Sequence, residues 1–449
     1  MHVLISGAGI GGVMLAGLLE KAGISYQVFE KASEVKPLGS AISFSSNIIP
    51  VFRQLGIFDE IERHSLPLFK FTRNFVPARE AWNDDFSFMK ERYGDYIRII
   101  ERPKLYDILR TLVPVDKILF SKKVLSIEQN DEGVMIRCSD NTTYHGDVLI
   151  GADGAYSTVR QLMYKQMKEV GKLPEEDDTD PPFNMHCLVG VSKPFPPGTF
   201  DCPQDQCRYE SIFFGDIPYM VICFSGQDGD IKWMVIEDIG GVQTRQDEAF
   251  KSNEWGPEGA MAMAEKVRGL ATPFGLTMGD VIDNTPKELI SKVMLEEKLY
   301  TTWNYKRCAL MGDACHKFFP YGGQGAINAM LDAVVIANVL QACPSPTIDP
   351  RNIERCLDAY RIERFPGARL AHATVSKGAA LCKRNTWGSI ARFIYPNIPR
   401  SLVVAQWDNV HAYQPQASFL PFIEPQGTSK PTPQVDYEFL RGPATTKYV

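Results

Sequence analysis

Residues 2–30 read HVLISGAGIGGVMLAGLLEKAGISYQVFE. The run His2–Ser6 is short and rich in β-branched residues and leucine, which is typical of a buried strand, and a similar run follows at Ser25–Phe29. Between them a glycine-rich turn leads into apolar residues at helical spacing, from residue 12 to residue 22. Strand, helix and strand within about 30 residues make a βαβ unit, so we expect a parallel sheet at the start of the chain.

The turn itself, GAGIGG at residues 7–12, has the G-x-G-x-x-G spacing of a dinucleotide site. Gly7 permits the tight turn, Gly9 lets a pyrophosphate approach the backbone, and Gly12 lets the helix pack closely on the strand. The helix N-terminus adds free N–H groups and the positive end of its dipole. Glu30 ends the second strand, where a carboxylate can accept hydrogen bonds from ribose hydroxyls. The pattern predicts a bound dinucleotide and does not distinguish NAD from FAD.

The composition describes a well-cored chain and excludes some classes of partner. The chain has 449 residues, of which 44% are hydrophobic, 11% aromatic and 23% charged, and at about 150 residues per domain this length allows roughly three domains. The 54 acidic side chains outnumber the 48 basic ones. This excess repels phosphate backbones, so we expect no nucleic-acid partner. The 10 cysteines form no CxxC pair, so the sequence indicates neither a disulfide framework nor a metal site.

Targeting signals are weak in this sequence. The apolar N-terminal stretch lacks the basic segment of a secretory signal, and glycines interrupt it. No uninterrupted apolar run approaches the roughly 18 residues that a membrane-spanning helix needs. We therefore expect a cytoplasmic protein.

Beyond residue 100 the patterns predict elements of both kinds. We predict helices at residues 102–112, 258–269, 287–299, 325–340 and 351–381, and strands at residues 124–129, 133–139, 147–150, 185–192, 209–214, 219–224, 231–237 and 308–311. Residues 165–182 are rich in Lys, Glu, Asp and Pro, and we interpret them as a solvated linker rather than a cation site. The four strands that follow, two of them joined by a hairpin turn at residues 226–229, indicate a separate antiparallel sheet.

Two more glycine-containing turns follow buried strands. The first is LIGADGAYSTVR at residues 149–160, which contains Asp153. The second is CALMGDACH at residues 308–316, which contains Asp313, and PYGGQG at residues 320–325 then leads into a helix. Taken singly, each aspartate is explained as a cap of the segment after it, and the glycines as a flexible loop.

Together the three stretches resemble, in order and spacing, the nucleotide fingerprint, the Asp-Gly motif and the Gly-Asp motif of the FAD-dependent aromatic hydroxylases, the group A flavoprotein monooxygenases. The resemblance covers about residues 1–380, and the chain looks similar to hydroxylases and epoxidases of secondary metabolism. It implies an α/β fold in which a Rossmann-like FAD-binding domain carries an inserted antiparallel β-sheet substrate domain and a helical C-terminal region. We assign residues 1–70, 101–180 and 286–345 to the FAD-binding domain, residues 71–100 and 181–285 to the substrate domain, and residues 346–449 to a C-terminal helical cap and tail.

The resemblance also implies roles for individual residues. The fingerprint glycines hold the FAD pyrophosphate and the acid after them holds the adenosine ribose. Arg102 reaches the flavin side chain, Asp313 binds the ribityl or pyrophosphate part, and Asp153 serves both FAD and NAD(P)H. Pro320 and the loop at residues 322–325 lie beside the isoalloxazine ring, and the N–H groups that open the next helix would stabilise negative charge on the reduced flavin. The predicted cofactor-binding residues are Gly7, Gly9, Gly12, Glu30, Arg102, Asp153, Asp313, Pro320, Gly323, Gly325 and Ala326.

Two other polar residues in the motifs receive structural interpretations. His316 follows a strand end, where an imidazole is more often a hydrogen-bonded packing residue than a base. Arg160 is interpreted as structural or as a partner of Asp153. No side chain is assigned a catalytic role.

Monooxygenation is the activity that the resemblance implies. NAD(P)H reduces FAD, O2 adds at flavin C4a, and the resulting hydroperoxide transfers one oxygen atom to the substrate, while the protein supplies position, electrostatics and exclusion of water. Phe318 and Phe319, before Pro320, add no charge, which favours an apolar substrate over a small carboxylated one. The similarity to hydroxylases and epoxidases of secondary metabolism implies an aromatic, indole, polyketide or terpenoid-type small molecule. The choice among hydroxylation, epoxidation and Baeyer–Villiger insertion, the choice between NADH and NADPH, and the oligomeric state stay open.

Three alternatives are weighed against this interpretation. A halogenase of the same fold carries Trp-x-Trp-x-Ile-Pro, and the nearest match, at residues 233–236, lacks the second Trp and the Pro. A flavin reductase or dehydrogenase would use the same cofactor without transferring oxygen to a substrate. A membrane-surface protein that merely holds FAD would use residues 387–402, which combine apolar and arginine side chains. Pro396 and Pro399 break that helix, so we favour packing within the C-terminal region.

Overall fold

The computed structural model describes residues 1–35, 39–76, 80–243, 257–320, 323–344, 351–379 and 397–441, together with residues 388, 390, 393 and 394. Its strands are β1 (His2–Ser6), β2 (Ser25–Phe29), β3 (Ala41–Phe44), β4 (Ser65–Leu68), β5 (Lys70–Val76), β6 (Glu80–Asp85), β7 (Ile97–Glu101), β8 (Ile118–Leu119), β9 (Val124–Gln129), β10 (Val134–Cys138), β11 (Thr143–Gly146), β12 (Val148–Gly151), β13 (Phe183–Val191), β14 (Tyr209–Phe214), β15 (Tyr219–Ser225), β16 (Ile231–Gln243), β17 (Ser291–Glu296), β18 (Lys298–Leu299), β19 (Asn304–Tyr305), β20 (Cys308–Leu310) and β21 (His316–Lys317). Its helices are α1 (Ile10–Ala22), α2 (Ile49–Gln54), α3 (Phe58–Arg63), α4 (Met89–Tyr93), α5 (Arg102–Arg110), α6 (Thr158–Glu169), α7 (Pro257–Val267), α8 (Met278–Asp283), α9 (Gln324–Ala342), α10 (Arg351–Ala379) and α11 (Arg400–His411).

A six-stranded sheet contains the predicted βαβ unit. Its strand order is β19-β20-β12-β1-β2-β8, and β1 pairs in parallel with both β2 and β12. Val3, Leu4 and Ile5 of β1 are fully buried, as expected for a parallel sheet that is covered on both faces. Because β20 also pairs in parallel with β12, the carboxyl ends of β1, β12 and β20 lie along one edge. Ligands bind at this edge in open α/β sheets.

A seven-stranded sheet forms the second layer of the molecule. Its order is β17-β13-β16-β15-β14-β5-β6, and every pair is antiparallel except β14 with β5. One face shares a hydrophobic cluster with Ile97 and Ile99 of β7. The other face packs against α7 and α8. This sheet confirms the predicted antiparallel insertion and adds one parallel pair to it.

The prediction of a helix at residues 287–299 is wrong. A short 3-10 turn, Lys287–Leu289, leads instead into β17 and β18. β17 pairs with the edge of β13 along its length, so this tertiary pairing overrides a mixed apolar pattern that suits a helix equally well. The seven-stranded sheet therefore continues past the predicted domain boundary at residue 285. Near the other boundary, β7 pairs with β3 and β4 rather than with this sheet.

The interpretation of residues 165–182 as a solvated linker is also wrong in part. Helix α6 covers its start, and Glu175–Asp178 form a 3-10 turn. Asp177 is only 3% exposed, and its carboxylate accepts hydrogen bonds from the N–H groups of Thr301 and Thr302 and from the Thr301 hydroxyl, at 2.8, 2.8 and 2.9 Å. A buried carboxylate is tolerated when it is hydrogen-bonded in this way, so Asp177 ties the segment to the body of the protein.

In the C-terminal region, α10 confirms the predicted helix at residues 351–381 as far as the described residues extend, and α11 is a helix at residues 400–411 that the sequence analysis did not predict. Helix α9 is long and apolar enough to cross a membrane, but 78% of its most apolar window is buried inside the protein, so it is a core helix. Helix α10 runs for 29 residues with Pro366 inside it. Of the segment weighed for a membrane surface, residues 387–402, six lie outside the described residues: 387, 389, 391, 392, 395 and 396. Its described apolar side chains Ile390, Phe393, Ile394 and Leu402 are 41%, 77%, 52% and 61% exposed, so the favoured packing within the C-terminal region is not confirmed for them.

Candidate functional site

The glycine turn after β1 keeps space open for a ligand at one position. Gly7 has φ +106, and a Cβ added there would overlap the carbonyl of Ala152. A Cβ on Gly12 would overlap the carbonyl oxygen of Gly7. In contrast, a Cβ on Gly9 would meet no atom within 4 Å. The fold therefore needs glycine at positions 7 and 12, whereas Gly9 faces free space at the N-terminus of α1, where a phosphate group fits.

Glu30 braces this turn from the end of β2. Its Oε2 accepts the Ala8 N–H and its Oε1 accepts the Ala32 N–H, each at 2.9 Å. An ionised carboxylate offers about four lone-pair sites, so two remain for further donors. The predicted bond to a ribose hydroxyl is compatible with this geometry and stays a prediction.

Asp313 lies in a 3-10 turn, Gly312–Ala314, directly after β20. Lys317 Nζ is 2.7 Å from its Oδ2. Burial would raise the pKa of Asp313, but the nearby Lys317, His316 and Arg102 outweigh this and hold the pKa below its ordinary value. Arg102, at the start of α5, is itself so enclosed that burial lowers the pKa of its guanidinium against the attraction of Asp313. An ionised carboxylate and an arginine thus lie close together at the predicted edge.

The start of α9 meets the same carboxylate. Gly323 is the N-cap, with φ +60, and its N–H donates to the carbonyl of Pro320 at 2.9 Å. A Cβ on Gly325 would lie 3.8 Å from Asp313 Oδ1. The first N–H groups of a helix have no acceptor within it, so this turn, which contains Ala326, can hold negative charge. Gly322 lies outside the described residues.

Asp153 follows β12 beside the glycine turn. Its Oδ2 accepts the N–H groups of Thr158 and Val159 at 2.8 and 3.1 Å, so it caps α6 as predicted. Its Oδ1 is buried and has no partner among the described residues. Burial raises the pKa of Asp153 despite these donors. A buried oxygen without a partner needs an explanation, and a ligand bound beside the glycine turn would supply one.

Two serines of the same cleft were missed by sequence reasoning. Ser40 Oγ is buried without a partner among the described residues, while its carbonyl accepts the Arg102 N–H at 3.2 Å. Ser43, on β3, lies so close to the start of α9 that a Cβ on Gly323 would overlap its hydroxyl. Neither serine belongs to a recognisable motif. Ser43 lies on β3 and Ser40 directly precedes it, so a strand that is distant in sequence from the glycine motifs places both serines at the site.

His316 and Arg160 are structural, as interpreted. His316 is fully buried, with Nε2 2.6 Å from Asp332 Oδ2. Cys315, His316 and Asp332 lie close enough together to share a metal ion, but Arg364 already neutralises Asp332, and a cation beside it would disfavour a metal. Arg160 donates to the carbonyls of Ala314 and Ala155 rather than to Asp153.

The cleft has the features that FAD requires, and comparison with known proteins identifies its family. A family model described as an FAD binding domain matches residues 1–180 and 276–374. The chain belongs to this family. The model leaves out residues 181–275, the region that contains most of the seven-stranded sheet.

Characterised relatives agree with this assignment. The FAD-dependent monooxygenase paxM of Penicillium paxilli is 33% identical over 349 residues, which cover 76% of this chain and 69% of the relative. The FAD-dependent monooxygenase ptmM of Penicillium ochrochloron is 30% identical over 388 residues, covering 83% and 87%. This flavoprotein is therefore an FAD-dependent monooxygenase, an oxidoreductase.

Solved structures confirm the fold class. The structure of Klebsiella pneumoniae HpxO in complex with FAD and uric acid superposes with a TM-score of 0.72 at 20% identity, covering 92% of this chain and 97% of that one. At this identity the likeness establishes the α/β fold alone. FAD as cofactor is confirmed by the family, whereas the roles of the individual cofactor-binding residues stay predictions that the geometry of the cleft supports.

Proposed function

We propose that this monooxygenase takes electrons from NAD(P)H and inserts one oxygen atom of O2 into an apolar small molecule bound between the FAD cleft and the seven-stranded sheet. Hydroxylation or epoxidation of an aromatic, indole, polyketide or terpenoid-type compound is the chemistry that we propose. The observation that carries this proposal is the apolar face of the sheet, which shares one hydrophobic cluster with Phe319, the neighbour of Pro320.

This face is built by alternation along paired strands, because every second side chain of a strand points to the same side. Tyr209 and Phe213 of β14 lie opposite Phe71 and Phe75 of β5. The buried apolar members of the face include Phe71, Phe75, Phe213, Met220, Ile222 and Phe224. Such a surface excludes water from an oxygen-transfer site and offers an apolar substrate contact area.

Tyr209 is a polar exception on this face. Its ring is clamped between Phe71 and Phe224, with ring centroids 4.0 and 4.2 Å away. Among the described residues its hydroxyl has no hydrogen-bond partner, and part of its surface stays accessible. Burial raises the pKa of Tyr209, so the phenol stays neutral and can donate a hydrogen bond. We propose that it orients one oxygen of the substrate.

The cofactor-facing residues have complementary tasks in this proposal. Bound FAD supplies hydride acceptance and oxygen activation, which side chains cannot supply. Gly9 and the N-terminus of α1 hold the pyrophosphate. Ionised Asp313 accepts bonds from hydroxyl groups of the flavin side chain, and the N–H groups at the start of α9 stabilise negative charge on the flavin ring.

Isotope labelling tests the proposed reaction. The purified FAD-loaded protein is incubated with NADH or NADPH under 18O2 and a panel of apolar metabolites, and products are measured by mass spectrometry. We expect one labelled oxygen atom in a product and faster NAD(P)H consumption in the presence of its substrate. Substrate-accelerated NAD(P)H oxidation across the panel with no labelled product would overturn the proposed oxygen transfer to apolar compounds of these classes.

A further inference from the structure

Asp332 is a buried carboxylate on α9 that three donors share. Its Oδ2 accepts the Gly312 N–H at 2.9 Å and lies 2.6 Å from His316 Nε2. Its Oδ1 accepts Arg364 Nε at 2.9 Å. The side chains of Asp332 and His316 are 0% exposed and that of Arg364 is 1% exposed. The cluster therefore lies in the interior and makes its contacts away from solvent.

The bond from the Gly312 N–H to Asp332 joins two segments of the predicted flavin site, the turn after β20 and helix α9. Gly312 immediately precedes Asp313, the predicted flavin ligand after β20. Asp332 belongs to the helix whose N-terminus, at Gly323 and Gln324, faces the same cleft. An α-helix is a rigid rod that rises about 1.5 Å per residue, so fixing Gly312 to Asp332 fixes the Asp313 carboxylate relative to the start of α9.

The other two donors keep this carboxylate charged. Burial would raise the pKa of Asp332, but His316 and Arg364 reverse the shift and hold its pKa below the ordinary value. Arg364 comes from α10 in the C-terminal region, and its Nη2 also donates to Asn328 Oδ1 at 2.8 Å. The carboxylate of Asp332 therefore connects α10, through Arg364, to the turn that carries Gly312 and Asp313.

A buried ion pair is a poor source of stability. The desolvation of two charges offsets most of their attraction, and a well-packed apolar replacement is often as stable or more stable. What such a pair can supply is a defined geometry, since a charged acceptor orients its donors in a low-dielectric interior. The place where this geometry is fixed is the turn that carries Asp313.

We propose that Asp332 is a positioning residue for FAD: it sets the Gly312–Asp313 turn against the N-terminus of α9, and Arg364 makes this setting depend on α10. Asp332 acts through the Gly312 backbone rather than by contact with the flavin. The proposal depends on FAD binding alone and on no particular substrate, so it can fail or hold independently of the reaction proposed above.

Asp332→Asn is the direct test, because it keeps the size of the side chain and removes its charge. We expect the FAD dissociation constant, measured by fluorescence titration of the apoprotein, to rise about 10-fold, because a neutral amide holds the Gly312 N–H less firmly than a carboxylate and FAD must then order the turn as it binds. The matched control is Asp95→Asn, which breaks a bidentate pair with Arg53. An FAD affinity within twofold of wild type, or one lowered no more than in the control, overturns the proposal.

Two further measurements separate positioning from a general loss of stability. The double variant Asp332→Asn, Arg364→Met removes both charges and is expected to regain thermal stability without regaining FAD affinity. If both recover together, the cluster is merely structural.

If Asp332→Asn does not fold, two variants of His316 replace it. His316→Phe removes the bond to Asp332, whereas His316→Gln keeps an N–H donor. We expect His316→Phe to weaken FAD binding and change the circular dichroism of the bound flavin at saturation, and His316→Gln to restore both. Equal behaviour of the two variants contradicts the proposal.

Discussion

Replacing Gly9 by alanine should separate FAD binding from folding. Gly9 has φ −72 and ψ −177, an extended conformation that alanine adopts without strain, and a methyl group there would meet no protein atom within 4 Å. Alanine is a slightly poorer N-cap than glycine, by about 0.5–1 kcal/mol. A gain of about the same size comes from the reduced freedom of the unfolded chain. The free energy of unfolding of apo Gly9→Ala should therefore stay close to that of wild type.

The effect on FAD is expected to be large because the methyl group occupies the space where the pyrophosphate approaches the backbone. Loss of one hydrogen bond to a charged group costs about 1.5–3 kcal/mol. At about 1.4 kcal/mol per factor of ten, the FAD dissociation constant should rise about 10- to 100-fold. Gly12→Ala provides the contrast, because its Cβ would overlap the carbonyl oxygen of Gly7. That overlap should cost at least about 1–3 kcal/mol of folding stability.

The assay compares the two variants as apoproteins. Denaturant unfolding followed by circular dichroism gives their stabilities, and fluorescence titration with FAD gives their dissociation constants. Gly9→Ala should show wild-type unfolding with weak FAD binding, and its purified form should be nearly colourless. Wild-type FAD affinity in Gly9→Ala would refute the placement of the pyrophosphate, and a stability loss equal to that of Gly12→Ala would refute the description of free space at Gly9.

Three further predictions concern other charged and polar groups. Lys317→Met should raise the pKa of Asp313, because Lys317 helps to hold that pKa below its ordinary value. The proposed acceptor for FAD is ionised Asp313, so the variant should lose FAD at a higher pH than wild type does when the pH is lowered. FAD titrations between about pH 8 and about pH 4 measure this difference. Tyr209→Phe should weaken the binding of an oxygen-bearing substrate about 3- to 10-fold, as measured by substrate titration of the flavin spectrum. Tyr219→Phe is the control and should leave substrate binding unchanged, because the Tyr219 hydroxyl donates to Glu237. Asp177→Ala leaves two backbone N–H groups without an acceptor and should cost about 1–3 kcal/mol for each in denaturant unfolding, without changing FAD affinity.

The central strands of the six-stranded sheet and the turns that follow them could be predicted from the sequence because each of their signals lies within a short segment of the chain. The βαβ unit needs two short apolar runs and a helical pattern within residues 2–30, and β1, α1 and β2 confirm it. The turns that carry Asp153 and Asp313 follow buried strands, and the parallel pairing of β1, β12 and β20 brings them to one edge. A motif that directly follows a strand therefore predicts the location of its residues, because parallel pairing brings the ends of these strands to the same edge of the sheet.

Where the prediction failed, a distant partner decided the structure. Residues 287–299 suit a helix by pattern, but the free edge of β13 converts them to β17. Asp177 is part of an acidic run that looks solvated, and the backbone of Thr301 and Thr302 buries it. No local pattern contains these partners, so no reading of the segment alone could have found them.

The unpartnered polar atoms of the structure support the cofactor site from a different direction. Buried oxygens without partners cost about 1–3 kcal/mol each, so native proteins keep few of them. The described part of the chain has six unpartnered buried side-chain atoms, four of them oxygens, and two of these oxygens, Asp153 Oδ1 and Ser40 Oγ, lie beside the glycine turn and beside Arg102 respectively. A fold optimised for the protein alone would satisfy or remove these groups, whereas a fold optimised for a polar cofactor leaves them for its ligand. The same reasoning explains why Gly9 keeps its free space, and it supports the prediction that FAD completes this site.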